Sequence, residues 1–186
     1  MHTKASVSAG FKYNIEHLRR IDVMREMGLS IEGLEQRGDS VVLSVEEVNN
    51  LIPGEGLNYM LGTALTGVAQ LSAWYIALFE GNYVPVGTIT AATFPAAATE
   101  STAYTEAARV TWTPGAIAAG SVSNTASKAV FTMNATKTIY GIAQTSVSTK
   151  SATTGTLMSV AAFAVAKAVV STDVLNVTST LSATSV

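Results

Sequence analysis

The chain has 186 residues, 48% of them hydrophobic and only 13% charged, with a formal net charge of −2 and no cysteine. That size supports one core-bearing domain with an appendage. The missing cysteines exclude disulfides and thiolate metal sites, and the slightly acidic balance excludes the basic stripe that a nucleic-acid partner requires.

Charge is unevenly spread. Residues 1–55 carry 15 of the 24 charged side chains and residues 56–186 carry nine. A soluble domain usually has about a quarter of its residues charged. The long charge-poor part therefore reads as a body whose surface is covered by other proteins or coated with hydroxyls and methyls. The charged part reads as an N-terminal arm.

Residues 1–13 suggest a flexible lead with no apolar segment of the secretory type behind it. Asn14 is a candidate cap for a helix over about 14–27 that stops at Gly28. Ile15, Leu18, Ile21 and Met24 fall near one face of such a helix, with Arg19, Arg20 and Arg25 elsewhere. This narrow stripe suits docking on a partner or on the protein's own body. It makes Ile15, Leu18, Arg19, Arg20 and Arg25 candidate partner contacts. Ser40–Val45 is β-branched and predicts a strand. Pro53-Gly54 breaks the chain, so the arm is expected over 1–49 and the body over 50–186.

Leu57, Met60, Leu61, Ala64 and Leu65 then follow the spacing of a short helix that Gly67 ends. The uncharged run from Gly56 to Phe79 is long enough to cross a bilayer. It contains Asn58 and Gln70, however, and is flanked by Glu55 and Glu80 rather than by Lys or Arg, so no membrane span is expected. Short strands follow. Leu71–Phe79 is apolar on both faces, as a central strand between layers would be. Arg109–Thr113, Ala129–Met133, Lys137–Ala143, Leu157–Phe163 and Val174–Leu181 come next, with one further strand expected beyond a join near Ala166-Lys167. Ala129, Phe131 and Met133 alternate with polar neighbours, as do Leu175, Val177 and Leu181. Clusters of Gly, Ser, Thr, Asn and Pro separate the strands. The pattern predicts a mainly β protein, with a β-sandwich or jelly-roll-like body, a short helix, and an N-terminal arm containing one helix.

The chemical inventory is thin. The two histidines, His2 and His17, both lie in the N-terminal segment, so no Ser-His-Asp arrangement can form within the body. No zinc-type spacing occurs. Gly54-Glu55-Gly56 matches neither glycine-rich phosphate motif. The body's four carboxylates, Glu80, Glu100, Glu106 and Asp173, carry no mark of a glycosidase pair. No catalytic residue, metal or cofactor is expected, and the chain does not read as an enzyme. Trp74, Tyr75 and Phe79 are expected in the core. Tyr83, Tyr104 and Trp112 sit beside turns and are expected half-buried at the rim, where aromatic residues anchor partners or sugars.

Several segments carry a resemblance by their order along the chain. They are Asn50-Leu51-Ile52-Pro53-Gly54-Glu55-Gly56-Leu57-Asn58-Tyr59-Met60-Leu61, then Trp74-Tyr75-Ile76-Ala77-Leu78-Phe79-Glu80-Gly81-Asn82-Tyr83, Ala103-Tyr104, Thr138-Ile139-Tyr140-Gly141, Gly155-Thr156-Leu157 and Asp173-Val174-Leu175-Asn176-Val177. Over residues 50–186 the chain resembles small structural virion proteins of tailed bacteriophages, of the head-decoration or cement type. The resemblance implies a β-sandwich seated on the capsid surface and made in the host cytoplasm. It also implies the major capsid protein as partner and self-association, often as a homotrimer. An alternative within the same resemblance is a tail- or fibre-associated virion protein that binds a host receptor or glycan.

Overall fold

The computed structural model describes residues 7–185. In chain order the elements are β1 (Val7–Arg20), α1 (Ile21–Glu26), β2 (Gln36–Arg37), β3 (Ser40–Asn49), α2 (Gly54–Leu65), β4 (Trp74–Phe79), α3 (Phe94–Ala97), β5 (Val110–Trp112), β6 (Ser121–Ser123), β7 (Ala129–Thr132), β8 (Lys137–Thr145), β9 (Leu157–Val169) and β10 (Val174–Ser185). The strands form two antiparallel sheets. A six-stranded sheet runs β2-β3-β1-β10, with β6 and β7 sharing the far edge of β10, and a four-stranded sheet runs β5-β4-β8-β9.

The two sheets enclose one apolar core, so the fold is mainly β and sandwich-like. Phe11, Tyr13 and Ile15 of β1, Phe131 of β7, and Leu175 and Val177 of β10 meet Ile76 and Leu78 of β4 and Ile139 and Ile142 of β8. β4 is apolar on both faces because its other side is also covered. Ala77 and Phe79 pack with Phe94, Ala98, Leu157 and Val160 in a second cluster beneath the segment around α3.

Three sequence expectations give way to the sheet. The helix expected over 14–27 is strand as far as Arg20, and only Ile21–Glu26 is helical. β1 pairs with β10 from Val7 to Leu18 and with β3 from Lys12 to Arg20. Two flanking ladders bond the strand's main chain on both edges, and that pairing overrides local helix propensity. The alternation of buried Phe11, Tyr13 and Ile15 with the more exposed Lys12 and Asn14 is the period-two signal that the Ile15–Leu18–Ile21 spacing obscured. Residues 7–49 consequently supply three strands to the larger sheet, with β1 inside it, instead of an arm reaching away from the body. Finally, the two strands expected over 157–170 are one strand of 13 residues. Its pairing with β8 jumps from Gly141↔Ala162 to Ile139↔Lys167, so residues 163–166 stand off from β8.

α2 lies directly on β9. A Cβ on Gly56 would sit 2.5 Å from the Met158 carbonyl oxygen, so only glycine allows this approach. The Glu55 carboxylate is turned inward, accepting the Ala91 and Leu157 N–H groups at 2.8 and 2.7 Å. Among the described residues no helix is long and apolar enough to cross a membrane.

Candidate docking surface

The sequence-derived partner residues are scattered through the fold, and five of the eight are buried. Ile15 is fully buried and Leu18 is 8% exposed. Arg19 is a cross-link. Its Nε and Nη2 donate to the two Asp173 carboxylate oxygens at 2.8 and 2.7 Å, and Nη2 also donates to the Ala168 carbonyl. His17 Nε2 meets the same carboxylate at 2.8 Å, and Val170 N–H donates to it at 3.0 Å. Burial alone would raise the Asp173 carboxyl. The Arg19, His17 and Val170 donors outweigh burial and hold it below the usual carboxylate range.

Tyr104, expected at the rim, is 1% exposed and stands edge-on to Phe131 with ring centroids 5.1 Å apart. The Lys150 ammonium caps its ring at 3.6 Å. Trp112 is 9% exposed and donates Nε1–H to the Ser179 carbonyl at 3.2 Å. The short spacing of turns around both residues hid their burial from the sequence. Tyr83 is half-buried against Phe79. Arg20 and Arg25 are exposed, and Arg20 is occupied by Asp22 through two hydrogen bonds.

A second buried ion pair holds loops together. Arg109 Nε and Nη2 donate to the two Glu100 oxygens at 2.8 and 2.6 Å, and its Nη1 and Nη2 also donate to the Val147 and Ala152 carbonyls. Ser151 N–H completes the Glu100 shell. The other buried charges among the described residues are also paired, Glu16 with Arg37 and Lys128, and Lys167 with Glu46. Ser44 lies opposite His17 across the β1–β3 ladder, but its buried hydroxyl has no hydrogen-bond partner, so no Ser–His contact forms.

The feature that sequence reasoning passed over is an outward apolar surface. Gly56 and Gly62 are the buried residues of α2, and Glu55, Tyr59, Met60 and Thr63 are half-buried. Leu57, Leu61 and Leu65, one turn apart, point to solvent at 47, 57 and 77% exposure. The chain after the helix extends the same surface. Val68 lies against Gly62, and Leu71 N–H donates to the Tyr59 hydroxyl at 2.7 Å. Leu71 then borders a groove of about 370 Å³ with Tyr59, Trp74, Trp112 and Ile117, and Ile117 is 78% exposed. Scattered exposed leucines are ordinary, but this set is connected through the helix and its following loop. A connected apolar surface on a folded chain marks a docking site more often than scattered exposed leucines do. The signal in the sequence was the uncharged run from Gly56 to Phe79. Its helical spacing was legible, but which side of the helix faces the body is decided by Gly56 against β9. No family model and no curated protein was found to match the chain.

Proposed function

We propose that the protein is a structural virion component of a tailed phage that binds the major capsid protein and stabilises the head shell, with copies of itself as further neighbours, as in a homotrimer. The observation that carries this reading is the uncharged apolar surface running from α2 to the Trp74–Trp112–Ile117 groove on a cross-braced sandwich. Such a surface loses no ion hydration when it docks. Repetition over a symmetric shell would turn many modest contacts into strong retention. A tail- or fibre-tip role with sugar binding would need exposed aromatic platforms, and Tyr104 and Trp112 are committed to the core. That reading is therefore the less supported of the two.

The test is the copy number in purified virions, by quantitative mass spectrometry against the major capsid protein. A ratio near one to one is the expected result. A few copies per hundred capsid subunits would transfer the protein to the tail or neck, and its absence would remove the virion reading altogether. The docking surface is tested separately with Leu61→Lys/Leu65→Lys. Both positions are exposed, so the fold should be unaffected, while binding to heads lacking the protein should be lost.

A further inference from the structure

The Arg19 guanidinium braces Asp173 but is itself incompletely satisfied. Its side chain is 7% exposed and carries five N–H donors. Three of them meet oxygen. Nε and Nη2 donate to the Asp173 carboxylate, and Nη2 donates again to the Ala168 carbonyl. The other two belong to Nη1, whose partner among the described residues is the Met27 sulfur at 3.7 Å. A thioether is a weak acceptor. A buried cation thus keeps donor capacity that no protein oxygen uses, which is costly inside a fold.

Met27 is placed to change that. It caps the C-terminal end of α1 and is 48% exposed. Met24, Met133 and Met158 are buried, and Met60 is half-buried. Of the described methionines, Met27 is therefore the one most open to an oxidant in water. Arg19 and Met27 together line a groove of about 450 Å³, with Thr136, Thr138 and Val170 as neighbours. The groove offers room for an added oxygen beside the guanidinium.

We propose that Met27 is a reversible oxidation site whose sulfoxide is held by Arg19. With hydrogen peroxide as oxidant, the sulfur lone pair attacks one peroxide oxygen. An S–O bond forms as the O–O bond breaks, and the second oxygen leaves as water with the proton of the first. Sulfur gives up two electrons and peroxide takes them. The sulfoxide oxygen is a strong acceptor, so a weak N–H···S contact becomes a charge-assisted N–H···O bond. Methionine oxidation usually puts a polar group where an apolar one packed, and so disrupts the fold. Here a buried donor already faces the sulfur, and oxidation tightens the link between α1 and the Asp173 cluster. The inference uses neither the α2 surface nor the virion reading.

The test treats the whole chain with hydrogen peroxide and follows it by peptide mass spectrometry, thermal melts and NMR. Met27 should gain one oxygen at least about tenfold faster than Met24, Met133 or Met158, following exposure. Once Met27 is converted, Tm should rise by about 2–4 °C, the shift one improved buried hydrogen bond gives a chain of this size. The Arg19 Nη1 protons should exchange with water at least about tenfold more slowly, which ties the rise to this contact. Methionine sulfoxide reductase should reverse both changes. Met27→Leu removes the sulfur from an exposed position, so it should fold and show no rise under the same treatment. Oxidation of another described methionine ahead of Met27, a Tm that stays level or falls once Met27 is oxidised, unchanged exchange at Arg19, or the same rise in Met27→Leu would each overturn the proposal.

Discussion

Arg109→Met tests the most consequential buried contact in the body. The side chains of Arg109 and Glu100 are 1 and 0% exposed, and the guanidinium makes four hydrogen bonds, two to Glu100 and one each to the Val147 and Ala152 carbonyls. Removing the cation leaves a carboxylate in a low-dielectric site, at a cost of about 3–5 kcal/mol. The two stranded carbonyls add roughly 1 kcal/mol, less whatever solvent entry restores. The expected loss is about 4–6 kcal/mol, a large part of the roughly 5–15 kcal/mol that holds a domain together. For a chain of this size that is a fall of about 10–20 °C in Tm. Urea denaturation followed by far-UV circular dichroism gives the free energy, and a thermal scan gives Tm. Glu100→Gln combined with Arg109→Met removes the stranded charge. The double variant should therefore be less destabilised than the sum of the two single variants by about 2 kcal/mol. A loss under about 1 kcal/mol for Arg109→Met, or strict additivity in the cycle, would refute the claim that this pair is desolvated and coupled.

Two further outcomes are expected. The folded Asp173 carboxyl is held below its unfolded value. Its contribution is therefore complete above the unfolded value of about 3.9 and fades as pH falls through the folded one. Asp173→Asn should lower the urea midpoint at pH 7, and the gap to wild type should narrow steadily below about pH 4; a gap that stays constant down to pH 2 would contradict the assignment. Tyr104→Phe should leave stability unchanged or raise it by up to about 1 kcal/mol, because the deleted hydroxyl is buried without a partner. A clear destabilisation in thermal melts would mean that the hydroxyl is bonded after all.

These expectations rest on groups whose importance was unequally legible. Glu100 and Arg109 are nine residues apart in the chain and looked isolated. They become partners only because the segment after α3 brings Glu100 beside Arg109 at the start of β5. Arg19 was expected as a partner contact on a helix, yet the residue it shares with His17, Asp173, lies more than 150 residues away. The outward face of α2 was visible as a spacing only, since periodicity identifies a stripe without saying which way it points.

What the sequence determined by itself is the class of the fold and the location of most strands. Two-residue alternation in Ala129–Met133 and Leu175–Leu181, and apolar residues on both faces of Trp74–Phe79, are local patterns. They survive in the structure because burial on a pleated surface follows side-chain parity. The charge-poor composition of residues 56–186 was equally plain. Tertiary structure alone decided that residues 7–20 are a strand within the larger sheet. Their sequence satisfies both a three-to-four-residue and a two-residue spacing, and only the ladders to β3 and β10, contributed by residues 40–49 and 174–185, break the tie. The same long-range contacts settled which charges are buried in pairs, which aromatic rings fill the core, and which leucines are left in water. Each of those outcomes depends on a partner distant in sequence, and local composition carries no record of it.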